Sequence, residues 1–414
     1  MSGKLTVNPF LQLELHATDN FHLLAPKPGC GLQMLPVSRT ERPALYELFL
    51  ELSGMQFDFL DIERDLSRDE RRLLSDHGVL IEEKNVPQKP LFACQLDEVE
   101  AASFEAARSD LIVNPTYRFE PFSFANLAVW MREKHLSPHQ ASAWISSPAT
   151  GIEIGYWLEK ERAETMAGFR AGKKPSSEID DELLGKLMAA EIIGTAEDFR
   201  RREKGKSEVL ERKRGEFQKR GYAVLEQILP PAQMKAMRDF YRQYVAQGFM
   251  PLGDPQVSLR FRQHNEPLAR FFHLNFTGLM SLLIGEEVRP SYVYAASYKE
   301  GAALEPHTDR EQCEYSISFQ VDYQPEPADQ TSPWALHLTR PEEPIQDNSM
   351  FGWDDFPETL PGGQKRKGIH LASGDGLIYK GRELIHYRYP LPAGHRSTSL
   401  FFHYVPKDFG GNLL

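Results

Sequence analysis

The sequence predicts an α+β protein in which two small helix-and-strand repeats precede a C-terminal antiparallel barrel or jelly roll. Residues 291–406 contain a succession of segments rich in aromatic and β-branched residues, separated by Gly, Pro and Asp turns. An internal repeat occupies most of the first 195 residues. A chain of 414 residues is also long enough for two or three domains, each with its own core.

Composition narrows the function classes. The chain is 41% hydrophobic and 26% charged, as in ordinary globular proteins, and its net charge of −11 disfavours a nucleic-acid partner or an anionic membrane surface. Cys30, Cys94 and Cys313 are too few for a disulfide framework, and no pair has the spacing of a zinc site. No apolar run approaches the roughly 18 residues of a membrane span. We therefore expect a cytoplasmic protein with no membrane association.

The repeat has matching starts and ends. Val7-Asn8-Pro9 recurs as Val113-Asn114-Pro115, and residues 69–83 resemble residues 180–194, where a leucine-rich helix leads into a short β-branched strand. Ser67 and Glu70 have the spacing of a capping box at the start of the first of these helices. The pattern predicts two winged-helix-like modules, over residues 1–95 and 105–198. The alternative is two unrelated helical segments that share a common pattern by chance.

Two changes in residue composition mark the remaining domain boundaries. Residues 199–220 are rich in Lys and Arg with interspersed Glu and carry almost no apolar stripe, which is typical of an exposed, salt-bridged connecting helix. From residue 221 a short strand, a Pro-Pro helix start and an amphipathic helix begin a new domain, which we place at residues 221–414.

Three side chains of this domain have the pattern of a metal site. His307 and Asp309 are two residues apart, so on a strand they point to the same side. His386 follows on a later strand and can complete the set. Two histidines and one carboxylate on one face leave coordination positions open, which is the ligand set of non-haem Fe(II) enzymes that use oxygen.

A second pattern indicates a cosubstrate site. Arg396 lies ten residues after His386 at the start of a strand, with Thr398 two residues further on. A guanidinium can bind a carboxylate through two parallel hydrogen bonds. We expect Arg396 and Thr398 to hold the far carboxylate of a 2-oxo acid that chelates the iron and supplies electrons.

These motifs resemble the Fe(II)/2-oxoglutarate-dependent dioxygenase superfamily, and its prolyl-4-hydroxylase-like and phytanoyl-CoA-hydroxylase-like branches in particular. The resemblance covers about half the chain. It extends to Tyr298, which matches a tyrosine that these families place before the first histidine near 2-oxoglutarate, and to Gly374-Asp375 before the distal histidine. It implies a double-stranded β-helix with Fe(II) bound by His307, Asp309 and His386, and no catalytic side chain beyond the metal centre.

The resemblance also implies a reaction. Oxygen and 2-oxoglutarate would be consumed to give succinate and CO2 while an unactivated C–H of a small-molecule or peptide substrate is hydroxylated. Hydroxylation is the default because Asp309 is present, whereas halogenating relatives carry a small residue there. The alternative class is a non-catalytic ligand-binding or sensing protein whose N-terminal repeats bind a peptide or nucleic acid.

Several further residues have two interpretations. Arg260, Arg262 and His264 alternate along one segment and are expected either to line a substrate entrance or to form a solvated strand face. His403 lies on the opposite strand face to Thr398, which favours packing over ligation. Residues 10–83 are loosely similar to PqqD-like peptide-recognition modules, so the N-terminal half is expected to present a peptide substrate, form a homodimer surface or serve as a scaffold.

Overall fold

The computed structural model describes residues 5–8, 11–17, 20–27, 31–54, 66–82, 84, 92, 94–121, 141–175, 179–343, 345–360 and 363–413. Pro9 and Cys30, which the sequence analysis singled out, lie outside these residues. Cys94 and Cys313 are buried free thiols. No helix in the described ranges is long and apolar enough to cross a membrane.

The first repeat consists of a terminal strand pair, a three-stranded sheet and two helices. Its elements are β1 (Leu5–Val7), β2 (Gln12–Ala17), β3 (Asn20–Lys27), β4 (Gly31–Ser38), α1 (Pro43–Gly54), α2 (Arg68–Asp76) and β5 (Leu80–Glu82). β1 pairs with β5, and β2, β3 and β4 form an antiparallel sheet. The capping box at the start of α2 is present as predicted, with Ser67 and Glu70 bonded to each other's backbone.

The second repeat has the same order of elements. They are β6 (Leu111–Val113), β7 (Arg118–Pro121), β8 (Ala141–Ser146), β9 (Glu153–Leu158), α3 (Lys160–Met166), α4 (Asp181–Ala189) and β10 (Ile193–Thr195). The amide of Asn8 donates to the Gly78 carbonyl, and Asn114 makes the equivalent bond to Glu191. The Val-Asn-Pro signature is thus explained, because each Asn joins the first strand of its repeat to the end of the second helix. The winged-helix identity and the domain limits stay predictions.

The two repeats differ in what they pack against. The buried residues of the first repeat form a cluster of their own among the described residues, which includes Phe21, Leu45 and Leu74. Those of the second repeat share one cluster with the C-terminal region, in which Trp144 packs on Phe271. The second repeat is therefore joined to the C-terminal domain through a common core.

A long helix, α5 (Ala196–Arg220), connects the repeats to the C-terminal domain, as the charge pattern predicted. The Thr195 hydroxyl accepts a hydrogen bond from the Asp198 amide at its start, and Gly221 ends it with a φ of 79°. The domain beyond contains β11 (Tyr222–Leu225), α6 (Pro231–Ala246), β12 (Arg260–His264), α7 (Pro267–Asn275), α8 (Thr277–Ile284), β13 (Val288–Lys299), β14 (Leu304–His307), β15 (Tyr315–Gln324), β16 (His337–Thr339), β17 (Gly376–Lys380), β18 (Ile385–Arg388) and β19 (Arg396–Pro406).

The C-terminal strands form two antiparallel sheets. The larger sheet has the order β11-β17-β15-β19-β13-β12 and the smaller has the order β14-β18-β16. Apolar side chains of β13, β15 and β19 cover one face of the large sheet, where Phe319 and Phe402 pack on Phe276 at the junction of α7 and α8. Side chains from the other face of the large sheet and from the small sheet surround a common cavity. This arrangement is consistent with the predicted jelly roll.

Candidate metal and cosubstrate site

The three predicted ligands meet between β14 and β18. His307 at the end of β14 is directly opposite His386 on β18, and Asp309 follows two residues after β14. The Oδ1 atom of Asp309 is 3.4 Å from Nε2 of His386 and 3.9 Å from Nε2 of His307. One ligand atom from each side chain lies within 4.8 Å of the other two. These three residues can therefore contact a single metal ion.

The two imidazoles are oriented by their own strands. The Nδ1 of His307 is 2.7 Å from the Glu305 carbonyl oxygen, and the Nδ1 of His386 is 3.0 Å from the Leu384 carbonyl oxygen. A carbonyl can only accept, so each Nδ1 carries the proton and donates it, and each Nε2 keeps its lone pair for a metal.

The Asp309 carboxylate is fixed from the opposite side. Its backbone amide donates to the Gly381 carbonyl oxygen, and the Ser316 hydroxyl donates to Oδ2 over 3.2 Å. The same hydroxyl oxygen is 2.9 Å from Nδ1 of His403. Gly381 lies so close to the Asp309 carboxylate that a Cβ atom at this position would overlap Asp309 and the Cys313 carbonyl. The surroundings of Asp309 thus leave Oδ1 facing the histidines.

The surroundings favour the ionised form of Asp309 and the neutral form of His307. Burial, together with the neighbouring His386, lowers the pKa of His307 to about 3. Burial alone would raise the pKa of Asp309 and lower that of His386, but their mutual attraction outweighs it, so the pKa of Asp309 is lowered and that of His386 raised. A cation at the triad would compete with protonation of Nε2 of His386, which the neighbouring Asp309 favours.

The triad lies at the wall of a cavity of about 360 Å³. β12 contributes Arg260, Arg262 and His264, so the interpretation of these residues as a cavity wall, rather than a solvated strand face, is the one that the structure favours. Tyr298 lines the same cavity and is fully buried, as a residue near a cosubstrate would be. The role of all four residues in binding stays a proposal.

Arg260 is already engaged within the protein. Its guanidinium forms an ion pair with Asp254, with distances of 2.9 Å from Nε and 2.7 Å from Nη2 to Oδ2, and its Nη1 donates to the Tyr298 hydroxyl over 3.2 Å. His264 stacks on Tyr292 with 5.3 Å between ring centroids. Burial lowers the pKa of His264 to about 4, so this imidazole is neutral at pH 7.

The structure does not bring Arg396 or Thr398 to the cavity, which corrects the sequence expectation. Arg396 is exposed and pairs with Lys299, whereas the next residue, Ser397, pairs with the cavity-lining Tyr298. Because side chains alternate along β19, Arg396 and Thr398 both point away from the cavity. Thr398 instead donates to the Ser297 hydroxyl over 3.0 Å.

Sequence reasoning also missed one residue of the cavity wall and one buried residue close to a ligand in sequence. His403 is on the inward face of β19 and lines the cavity behind Asp309. Arg388, two residues after His386 on β18, is only 1% exposed. The signal for Arg388 was its even spacing from His386, which places both side chains on one strand face.

The loop between β16 and β17 is attached to β14 and to the residues that follow it, where His307 and Asp309 lie. The Thr308 amide donates to the Ser349 carbonyl over 3.0 Å, and the Asn348 amide donates to the Asp309 carbonyl over 3.0 Å. Nη2 of Arg382, between β17 and β18, is also 2.8 Å from Oδ2 of Asp347 in the loop. Residues 346–351 thus cover the backbone of His307 and Asp309.

No protein-family model matches the sequence, and no curated protein sequence matches it. Among solved structures, it is similar to the non-haem α-ketoglutarate-dependent epimerase SnoN from nogalamycin biosynthesis, at 15% identity and a TM-score of 0.37, over 48% of this chain and 81% of that one. A prolyl-4-hydroxylase from Pseudomonas putida is similar at 13% identity and a TM-score of 0.35, over 48% of this chain and 99% of that one. HygX from Streptomyces hygroscopicus, solved with nickel, 2-oxoglutarate and hygromycin B, is similar at 13% identity and a TM-score of 0.36, over 48% of this chain and 88% of that one.

Each of these structures therefore matches about half of this chain. The activities are those of the three proteins themselves, and the ligands of this chain follow from its own side chains.

Proposed function

We propose that this protein is an Fe(II)- and 2-oxoglutarate-dependent oxygenase that hydroxylates an unactivated C–H of its substrate. The observation that carries the proposal is the convergence of His307, Asp309 and His386 on one wall of a cavity. The overall reaction would convert substrate, O2 and 2-oxoglutarate into hydroxylated substrate, succinate and CO2. A bound iron ion would supply the activation of oxygen.

The donor set fits iron. Two imidazole nitrogens and one carboxylate oxygen are the ligands of non-haem Fe(II) sites, and a site with three protein ligands leaves positions for a cosubstrate and oxygen. The Nδ1 hydrogen bonds of both histidines hold the rings in the orientation that ligation requires. Asp309 contributes one oxygen toward the histidines because Ser316 engages the other.

The cavity walls support a substrate that reaches the metal from the side of β12 and β13. Arg262, His264 and Tyr292 line this side, and the guanidinium of Arg310 lies 4.5 Å from the ring centroid of Tyr292. Arg262 and Arg310 contribute positive charge to this wall, and Asp254, 3.7 Å from Nε of Arg262, is shared with Arg260. We therefore assign Arg260, Arg262 and His264 to the substrate side, with Arg260 held in place by Asp254.

For the N-terminal half, the shared core supports a scaffold role for the second repeat. Gln233 of α6 donates to the Gly155 carbonyl over 2.7 Å, and Asn275 of α7 bonds the backbone of Glu153 in both directions. These contacts connect the second repeat to helices that pack behind the large sheet. The first repeat, with its separate core, is the part that we propose for substrate presentation or self-association.

The proposed function is tested with the full chain, Fe(II) and 2-oxoglutarate. Under anaerobic conditions we expect a weak visible charge-transfer band, and after oxygen is admitted we expect succinate in equal amount to the 2-oxoglutarate consumed. His307→Ala should lose both signals, whereas His77→Ala, a histidine change in the first repeat, should keep them. Metal binding without a 2-oxoglutarate band or succinate would instead support the non-catalytic binding protein.

A further inference from the structure

A buried arginine lies next to the metal triad in sequence, with no acidic partner among the described residues. Arg388 is 1% exposed, and it shares a face of β18 with His386. Its Nη1 donates to the Trp334 carbonyl over 2.6 Å, and its guanidinium carbon lies 4.6 Å from the centroid of the Trp334 ring. The side chain is thus held in one position by neutral groups.

The charge of this guanidinium is not balanced within the described part of the chain. Its Nε atom is buried and has no hydrogen-bond partner there, and its Nη1 atom contacts only a neutral carbonyl oxygen, that of Trp334. An arginine guanidinium keeps its positive charge in proteins. An unpaired buried charge is costly, so a residue in this state is expected to have a ligand as its partner.

The surroundings of Arg388 connect it to the cavity. Tyr298 and Tyr379 both line the cavity, and Leu304, which is opposite Arg388 in the strand pair, lines it as well. Residues two apart on a strand are separated by about 7 Å. An extended five-carbon dicarboxylate has four C–C bonds of about 1.5 Å each, which span about 5 Å between its end carbons, and the carboxylate oxygens extend this length to about 7 Å.

We propose that Arg388 binds the carboxylate of 2-oxoglutarate that is remote from the metal, an inference that rests on the function proposed above. The other cations near the triad are less suited to this task. Arg260 and Arg262 are both within ion-pair distance of Asp254, and Arg310 stacks on Tyr292 and donates to its hydroxyl. Arg396 is exposed on the outer face of β19. Arg388 therefore takes the role that the sequence pattern assigned to Arg396.

The test compares 2-oxoglutarate with 2-oxopentanoate, which has the same chain length but a methyl group in place of the far carboxylate. Affinities are measured anaerobically with the Fe(II)-loaded full chain, by titration of the visible band and by calorimetry, so that turnover is not involved. The wild type should bind 2-oxoglutarate at least tenfold more tightly than 2-oxopentanoate. Arg388→Met should weaken 2-oxoglutarate about 100-fold and leave 2-oxopentanoate within about threefold.

Arg396→Met is the matched control and should leave both affinities unchanged. Thermal melting gives a second readout: 2-oxoglutarate should raise the melting temperature of Fe(II)-loaded wild type but not that of Arg388→Met. If the Met variant does not fold, Arg388→Lys allows the same comparison, with a smaller loss of about tenfold.

The two hypotheses fail in different ways. Unchanged 2-oxoglutarate affinity in the Arg388 variant, or a loss in Arg396→Met, would overturn the assignment of Arg388 and leave the proposed function intact. A wild-type protein that binds Fe(II) but neither 2-oxo acid would overturn the proposed function itself.

Discussion

Replacing Gly381 by alanine should disturb the metal site through Asp309. An added Cβ would lie 2.6 Å from the Cys313 carbonyl oxygen and 3.0 Å from Cγ of Asp309, with a still closer approach to Oδ2. A carbon and an oxygen that are not bonded are normally at least about 3.3 Å apart, so the carbonyl contact falls short by about 0.7 Å. The Cys313 carbonyl belongs to the backbone, so the Asp309 carboxylate is the group that must move.

The displacement should have two measurable effects. Overpacking at such a site costs about 1–3 kcal/mol of folding free energy, and a displaced ligand weakens metal binding about 10- to 100-fold. Binding is measured by competition between the protein and a fluorescent chelator for Ni(II), which is stable in air. The control is Gly352→Ala, because Gly352 has a φ of −75° and an added Cβ there meets nothing within 4 Å.

A folded Gly381→Ala protein that binds Ni(II) within twofold of the wild type would refute this reasoning. It would mean that the Asp309 carboxylate is either not a ligand or free to bind in another position. Loss of binding in Gly352→Ala would equally show that the assay does not report on this contact.

Three further changes have defined outcomes. Ser316→Ala removes the hydrogen bond to Oδ2 of Asp309 and should weaken Ni(II) binding about tenfold in the same competition assay; unchanged binding would show that this hydroxyl does not position the ligand. His264 is neutral when folded, with a pKa of about 4 against about 6.5 when unfolded, so its contribution to stability is complete above pH 6.5 and is lost as the pH falls toward 4. His264→Asn should therefore flatten the fall in urea midpoint between pH 7 and 4.5 with chelator present, and an equally steep fall would contradict the assignment. Ser67→Ala removes the capping box with Glu70 and should cost α2 about 1 kcal/mol, seen as faster amide exchange confined to residues 68–76; slower or unchanged exchange there would contradict it.

The metal triad could be predicted from the sequence because its geometry is mostly local. His307 and Asp309 are two residues apart, and the position of His386 follows once both strands belong to one small sheet. The capping box and the connecting helix were predictable for the same reason. Side-chain alternation and helix capping depend on neighbours in sequence, and nothing from elsewhere in the fold overrides them here.

The residue that we propose as the cosubstrate anchor, Arg388, could not be predicted in this way. Alternation showed that Thr398 and His403 lie on opposite faces of β19, but it could not show which face is inward. That choice is made by the pairing of Ser397 with Tyr298, a contact between residues about 100 positions apart. For Arg388, burial without an acidic partner is a property of the folded surroundings, whereas its sequence context resembles that of any strand residue.

The N-terminal repeats likewise have features that the sequence predicts and features that it does not. Asn8 and Asn114 stood out as recurring residues, but their function as links to Gly78 and Glu191 depends on the pairing of the first and last strands of each repeat. The sequence likewise gave no sign that the second repeat shares a core with the C-terminal domain while the first does not. Equivalent sequence patterns have thus been placed in different environments.

The central claim is that one iron ion is bound by His307, Asp309 and His386. The most direct measurement is anomalous X-ray scattering at the iron edge from anaerobic crystals grown with Fe(II). We predict a single strong peak at about 2.0–2.2 Å from both Nε2 atoms and from an oxygen of Asp309, by analogy with other first-row metals bound to the same ligands. A peak elsewhere, or no peak in crystals grown from protein with stoichiometric Fe(II), would contradict this prediction.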